Sequence, residues 1–208
     1  HTANRRQRQM CIRDRDRPLC CGRTYISYGQ LDKASKELNR FNDYIINNNY
    51  FNLPVVGIEP SCLLTFTDEY QKLKNVNNRE KIKNKFYLLE EFILEQIKND
   101  NKVKTNKFDQ NVLIHGHCHQ KSQDRMKGLT NLLSELKINN KMIDSSCCGM
   151  AGSFGYDSKN YEVSKKMANL SLIPAINNSD EADFIIANGT SCRHQISDLS
   201  HKKGKHVS

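Results

Sequence analysis

One eight-residue pattern, a short apolar run leading to Ser-Cys, occurs twice. Val55-Val56-Gly57-Ile58-Glu59-Pro60-Ser61-Cys62 aligns without a gap on Ile185-Ile186-Ala187-Asn188-Gly189-Thr190-Ser191-Cys192. About 40 residues before each copy stands Cys-Cys-Gly, at Cys20-Cys21-Gly22 and at Cys147-Cys148-Gly149. The two alignments give offsets of 130 and 127 residues, so the chain is a duplicated unit of domain size, not a short-period solenoid. Any fold for it must therefore place two similar cysteine constellations on two similar scaffolds.

Periodicity supplies the scaffold. Leu31, Ala34, Leu38, Phe41 and Ile45 recur at three- and four-residue intervals and predict a helix over 30–47, while Tyr161, Val163, Met167, Leu170 and Ile173 predict its counterpart over 158–176. The apolar runs 55–58, 112–115 and 184–187 are too short for helices and predict buried strands. Phe86, Leu89, Phe92, Ile93 and Ile97 predict a further helix from Arg79 to Lys98 that links the copies. Its flanks, 74–78 and 99–107, are polar connections, and Asp68 and Glu69 read as solvated helix residues. Strands alternating with helices give an α/β fold, with two pseudo-repeated units of short parallel sheets flanked by helices. The expected divisions are a head at 1–16, a first unit at 17–105 and a second at 106–208. Asn111-Val112-Leu113-Ile114-His115-Gly116-His117-Cys118 opens the second unit with a strand leading to a cysteine. By the same offset, the first unit's opening strand is expected before residue 1, so that unit reads as truncated and incomplete.

The formal net charge of +9 suggests nucleic acid until it is located. Residues 1–17 carry +4 of it, and Lys202, Lys203 and Lys205 a further +3, so the body is nearly neutral and the basic-patch reading loses its basis. Six of the 11 Arg fall in residues 1–17, whereas the remainder prefers Lys by 21 to five. The head therefore reads as non-native or as a disordered basic arm, and Cys11 goes with it. With no long apolar run and no signal-peptide core, the expected location is cytoplasmic, with a peripheral position on the inner face of the membrane as the variant.

Seven cysteines remain: Cys20, Cys21, Cys62, Cys118, Cys147, Cys148 and Cys192. Disulfides suit them poorly, because a cytoplasmic chain is kept reduced and adjacent cysteines strain disulfide geometry. Zinc usually takes Cys-x-x-Cys or spaced His pairs that present ligands from one turn, and Cys-x-x-Cys is absent. Successive residues of His115-Gly116-His117-Cys118-His119 point to opposite faces if the segment is extended, so at most some of its imidazoles could join Cys118 in a structural zinc site. An iron-sulfur cluster accounts for more of the pattern, since Cys118, Cys147, Cys148 and Cys192 give four thiolates from one unit. Ser191 is placed to cap a helix whose first turn holds Cys192, and Ser61 to do the same for Cys62. Gly22 and Gly149 permit unusual backbone angles and close approach of a bulky group. Gly149, Gly152 and Gly155 with Ser153 match neither G-x-G-x-x-G nor the P-loop, so this loop is expected to fold around the cluster edge. Arg193 and His194 are equally suited to donating to cluster sulfurs or to satisfying helix-end groups. Glu59 fits a loop-surface carboxylate better than a buried acid.

These motifs resemble the cysteine-rich "CCG" domain found in heterodisulfide reductase, in the iron-sulfur subunits of glycolate oxidase and in related Fe-S oxidoreductases. The resemblance is carried by Cys20-Cys21-Gly22-Arg23, Glu59-Pro60-Ser61-Cys62-Leu63-Leu64, His115-Gly116-His117-Cys118-His119-Gln120-Lys121, Cys147-Cys148-Gly149-Met150-Ala151-Gly152-Ser153-Phe154-Gly155 and Gly189-Thr190-Ser191-Cys192-Arg193-His194-Gln195-Ile196. It is strongest to the C-terminal part of fusion proteins that join an FAD-linked oxidase to ferredoxin-like clusters. The resemblance implies an iron-sulfur electron-transfer module of a flavin-dependent D-2-hydroxyacid dehydrogenase acting on lactate, glycolate or 2-hydroxyglutarate. Electrons would come from upstream flavin and ferredoxin-like domains and pass to a quinone or other acceptor, with no role for nucleic acid. FAD would lie in the upstream part, so the chain alone should not oxidise a hydroxyacid. Because each unit has Ser-Cys where the heterodisulfide enzyme has Cys-x-x-Cys, an ordinary four-cysteine 4Fe-4S cluster is implied in the second unit. The first unit, with three cysteines, would borrow a ligand or hold none. The alternatives are a component of a thiol/disulfide reductase like the heterodisulfide enzyme, and a structural zinc-binding docking module.

Overall fold

The computed structural model describes residues 18–82, 84–99, 108–180 and 183–208. The basic head, Cys11, the expected boundary near residue 105 and most of the 99–107 connection lie outside the described residues.

The first unit runs α1 (Arg23–Ser27), α2 (Leu31–Asn47), β1 (Val55–Gly57), α3 (Pro60–Thr67), α4 (Glu69–Lys72), α5 (Arg79–Ile82), β2 (Phe86–Leu88) and α6 (Leu89–Asn99). The second runs β3 (Val112–Ile114), α7 (Cys118–Ser122), α8 (Met126–Glu135), β4 (Asn140–Met142), a 3-10 turn (Phe154–Tyr156), α9 (Tyr161–Leu170), α10 (Leu172–Asn177), β5 (Phe184–Ile186) and α11 (Thr190–Leu199). Every strand pair is parallel: β1 with β2, and β4-β3-β5 in that spatial order. The α/β expectation is met, as are α2 and the strands at β1, β3 and β5.

In the second unit the alternation of side chains along the strands sorts them between two cores. Val112, Ile114 and Ile186 meet Met126, Leu129 and Leu133 of α8 on one face. Leu113 and Ile185 meet Ala168, Leu172, Ile176 and Ile196 of α9, α10 and α11 on the other. The first unit has a single core, in which Ala34, Leu38 and Ile45 of α2 pack on Leu63, Leu64 and Phe66 of α3 and on Phe86 and Leu88 of β2. The rings of Phe66 and Phe86 stack 4.7 Å apart.

Three expectations are corrected. The helix expected from Arg79 to Lys98 is interrupted: Asn84 takes a left-handed φ of 66°, and Phe86–Leu88 leaves the helix to pair with β1. Burying Phe86 against Phe66 outweighs the helical spacing of its apolar neighbours. The helix expected over 158–176 breaks at Ser171 into α9 and α10, and its apolar stripe faces outward, with Val163 51% and Leu170 76% exposed. The buried residues of α9 are the small ones, Ser164 and Ala168, because the Cys147-Cys148-Gly149 loop packs directly on the helix backbone. Finally, β1 is not a buried strand, since Val56 is 37% exposed.

The C-terminal tail also has a place. Lys205 forms a parallel bridge to Ile186, beside β5 as β2 lies beside β1, and His206 Nε2 lies 2.7 Å from the Ile58 carbonyl oxygen of the first unit. Helix α6 packs on α8, where Arg125 grips the Glu91 carboxylate with both Nε and a terminal nitrogen. Among the described residues no helix is long and apolar enough to cross a membrane.

Candidate metal centre

The second unit's cysteines converge at the carboxyl edge of the parallel sheet, where open α/β sheets place their sites. Cys118 begins α7 after β3, Cys147 and Cys148 follow β4, and Cys192 lies in the first turn of α11 after β5. Lys121 ties the β4 loop to α7 by donating to the Ser145 and Ser146 carbonyl oxygens, which holds Cys147 beside Cys118.

The thiols form a continuous series. Cys118 and Cys148 both hydrogen-bond to Cys147, Cys148 also meets Cys192, and Cys192 meets His115. The ligand atoms of His115, Cys148 and Cys192 lie within 4.8 Å of one another, and all three residues are buried. Acceptance from Cys118 and Cys148 holds Cys147 far below the usual thiol range. Cys148 and the imidazole bring Cys192 down to about 5. Donating to their neighbours pushes Cys118 and Cys148 up, and burial adds to this. This alternation means that the sulfurs compete for protons, which a cation would replace.

Backbone geometry supports the cluster of thiols. Gly149 N–H donates to Cys147 Sγ at 3.3 Å, and Gly22 N–H donates to Cys20 Sγ at 3.3 Å in the first unit. Both glycines have left-handed φ, +89° and +75°, as their position after the cysteine pair suggested. The close approach they permit is to protein: a Cβ on Gly149 would fall under 3.0 Å from the Ser164 carbonyl oxygen of α9.

The helix caps differ from expectation. Ser61 and Ser191 lie inside the first turns, and the N-caps are Glu59 and Gly189. Nor is Glu59 a loop-surface group: its carboxylate is half-buried and accepts hydrogen bonds from both Ser61 and Thr190. Arg193 is turned to the chain itself, donating to the Ala187 and Asn188 carbonyl oxygens at 2.9 and 2.6 Å and to Thr190 Oγ1 at 3.0 Å. His194 is exposed and lies 2.5 Å from the Tyr156 hydroxyl. Among the residues selected from the sequence, these two are the ones not brought to the sulfurs.

In the first unit Cys21 contacts both Cys20 and Cys62. No group of three ligand atoms as close as His115, Cys148 and Cys192 occurs there among the described residues. Cys62 and Cys118 are the exposed cysteines of their units, and Arg23 lies near both. Its guanidinium pairs with Glu69 and donates to His119 Nε2 at 3.0 Å. Burial and the nearby Arg23 cation push His119 down to about 4, so it is neutral and accepts. Glu69 is thus part of the junction between the sites, not a solvated helix residue.

Sequence reasoning weighed His115 only as one of three imidazoles near Cys118 and did not place it at Cys192, because the segment 115–119 is not an extended strand. It turns from β3 into α7, with His117 as N-cap accepting from His119 N–H at 3.2 Å, and this turn frees His115 to face Cys192 while Ser145 Oγ lies 2.9 Å from its Nδ1. Gly189 was missed for a similar reason, since only the folded chain shows the His117 ring and Cys192 Sγ where its Cβ would be.

Comparison with known proteins agrees with this geometry. Residues 112–197 match the sequence model of the cysteine-rich domain family CCG. The chain is 25% identical over 179 residues to one subunit of the anaerobic glycerol-3-phosphate dehydrogenase of Escherichia coli K12, covering 85% of this chain and 44% of that protein. It is 25% identical over 188 residues to D-2-hydroxyglutarate dehydrogenase of Haemophilus influenzae, covering 86% and 18% respectively. For the Pseudomonas putida enzyme of the same name it is 23% identical over 156 residues, covering 74% and 14%. The chain thus spans less than half the length of these relatives. No solved structure matches it. From its matched sequence and its motifs, the segment 112–197 is a cysteine-rich domain of the CCG family.

Proposed function

We propose that residues 106–208 hold a 4Fe-4S cluster through Cys118, Cys147, Cys148 and Cys192, and that the chain is the electron-transfer module of a flavin-dependent D-2-hydroxyacid dehydrogenase. The observation that carries this reading is the unbroken series of four sulfurs, drawn from three strand ends of one parallel sheet. The donor set fits the group: four thiols, each neighbouring the next in series, with Gly149 N–H aimed at Cys147 and His115 at Cys192. A bound cluster would supply reversible one-electron carriage.

The chain's residues provide the setting. Cys148, Cys192 and His115 are buried and keep water from the inner side of the site, whereas Cys118 is exposed and gives the outer side a path to a partner. His115, oriented by Ser145, holds Cys192 as an acceptor. The named relatives act on small anions carrying a secondary alcohol, whose oxidation releases two electrons. We assign such a substrate to flavin and ferredoxin-like domains of the same polypeptide or complex, with a quinone or other acceptor downstream. The three cysteines of the first unit, residues 17–105, stay without a complete set unless a further segment supplies a ligand.

The mixed set of His115, Cys148 and Cys192 favours a second reading, a structural zinc ion. The full chain, reconstituted anaerobically with iron and sulfide, tests both. Visible absorbance that dithionite bleaches, and that Cys148→Ser and Cys192→Ser abolish, is the expected result. Tight zinc that displaces iron and is lost in His115→Ala would support the second reading. Turnover of a disulfide substrate by the chain alone would replace electron transfer with a thiol/disulfide reductase role.

A further inference from the structure

We propose that Glu59 is a positioning residue shared by the two units, a single carboxylate that caps both of the helices whose first turns carry Cys62 and Cys192. Its Oε1 accepts from Ser61 Oγ at 2.8 Å and from Ser61 N–H at 3.4 Å, at the start of α3. Its Oε2 accepts from Thr190 N–H at 2.9 Å and Thr190 Oγ1 at 2.8 Å, at the start of α11 and 131 residues away in sequence.

The hydrogen-bond chemistry requires a carboxylate. Backbone N–H groups can only donate, and one meets each oxygen: Ser61 N–H at Oε1 and Thr190 N–H at Oε2. Both oxygens therefore face obligate donors, and an amide would turn its nitrogen against one of them. Burial pushes the Glu59 carboxyl up, but hydrogen bonds from Thr190 and Ser61 outweigh this and hold it below its ordinary value.

The duplication makes the asymmetry intelligible. Glu59 aligns with Gly189, and each is the N-cap of its cysteine helix. Gly189 has no side chain to offer, and a Cβ there would run into the His117 ring. The first unit supplies the cap that the second cannot, placing a negative charge at the positive end of α11, two residues before Cys192. The geometry thus links the sites through one group, so the charge at Glu59 acts on the second-unit centre.

For its sharpest readout the inference rests on the cluster reading above. In the reconstituted full chain, Glu59→Gln is expected to keep wild-type iron content. Its oxidised-to-reduced ratio at fixed poise should shift roughly tenfold toward the reduced form, as one unit charge roughly 10 Å away contributes at an effective dielectric of about 20. Ser61→Ala, which touches only the first-unit half of the cap, is expected to leave the ratio in place. An unchanged ratio in iron-replete Glu59→Gln overturns the inference. If Glu59→Gln loses iron, retention by Ser61→Ala supports the inference and equal loss overturns it. Metal-free melting supplies a readout that needs no cluster: Thr190→Val should lower the melting temperature clearly more in the wild-type background than in Glu59→Ala, where only the Arg193 bond to Thr190 Oγ1 remains to be lost, and equal drops in both would overturn the shared cap. A wild-type chain that takes up no iron refutes the cluster reading, and this melting comparison then decides the inference by itself.

Discussion

Gly149 offers the sharpest stability test, because the structure separates two costs of adding one methyl group. The backbone there has φ +89°, a conformation that costs an L-residue about 1–2 kcal/mol. The new Cβ would also fall under 3.0 Å from the Ser164 carbonyl oxygen, which is backbone of α9 and cannot rotate away. Overpacking of this kind adds about 1–3 kcal/mol, for a total of about 2–5 kcal/mol in Gly149→Ala. Gly152 is the control: it has φ +68° and no atom within 4 Å of a built Cβ, so Gly152→Ala should cost only the conformational part, about 1–2 kcal/mol. Gly22, at φ +75° with its nearest atoms at 3.3 Å, should fall between them. Urea denaturation of the metal-free chain, followed by far-ultraviolet circular dichroism, gives the three values. Equal losses in Gly149→Ala and Gly152→Ala would refute the argument that the cysteine loop is seated directly on α9.

Leu38 is fully buried in the first core, so Leu38→Ala should lower stability by about 2–5 kcal/mol in the same denaturation assay. Arg125→Ala breaks the two-point grip on Glu91 and should cost about 1–3 kcal/mol, whereas Lys127→Ala, which loses an exposed pair with Asp124, should cost about 0–1 kcal/mol by the same measurement. Glu90 is 1% exposed, with Oε1 accepting from Gln120 and Asn188 at 2.7 and 3.0 Å, and burial raises its pKa above 4.5. The folded state therefore holds this proton more tightly than the unfolded state, so its contribution is fully present below pH 4.5 and is lost as pH rises through the folded value. Glu90→Gln should remove that loss, making the variant more stable than wild type at neutral pH. A melting temperature that falls equally with pH in both would contradict this.

Much of the scaffold could be read from local sequence because the responsible forces are local. The short apolar runs at β1, β3 and β5 are too brief for helices, and the α2 stripe packs into the core from Ala34 to Ile45 as its spacing requires, with Leu31 left exposed at the helix start. Phe86 shows the limit: its spacing suits a helix, and only the ring of Phe66, 20 residues earlier, makes it part of a strand. The α9 stripe failed for a related reason, since the loop at Gly149 demands small residues on the buried side and displaces the large ones to solvent. At the site, the repeated cysteines marked the right loops. Neither the pairing of His115 with Cys192 nor that of Glu59 with Thr190 leaves a local signal, because each joins residues far apart in the chain.

Metal analysis decides whether the second unit holds a cluster. After anaerobic reconstitution of the full chain and removal of excess reagents, iron, acid-labile sulfide and zinc are measured per chain, in wild type and in Cys148→Ser. About four irons and about four sulfides are expected in the wild type, both lost in the variant. Zinc without labile sulfide, or iron that survives the loss of Cys148, would contradict this.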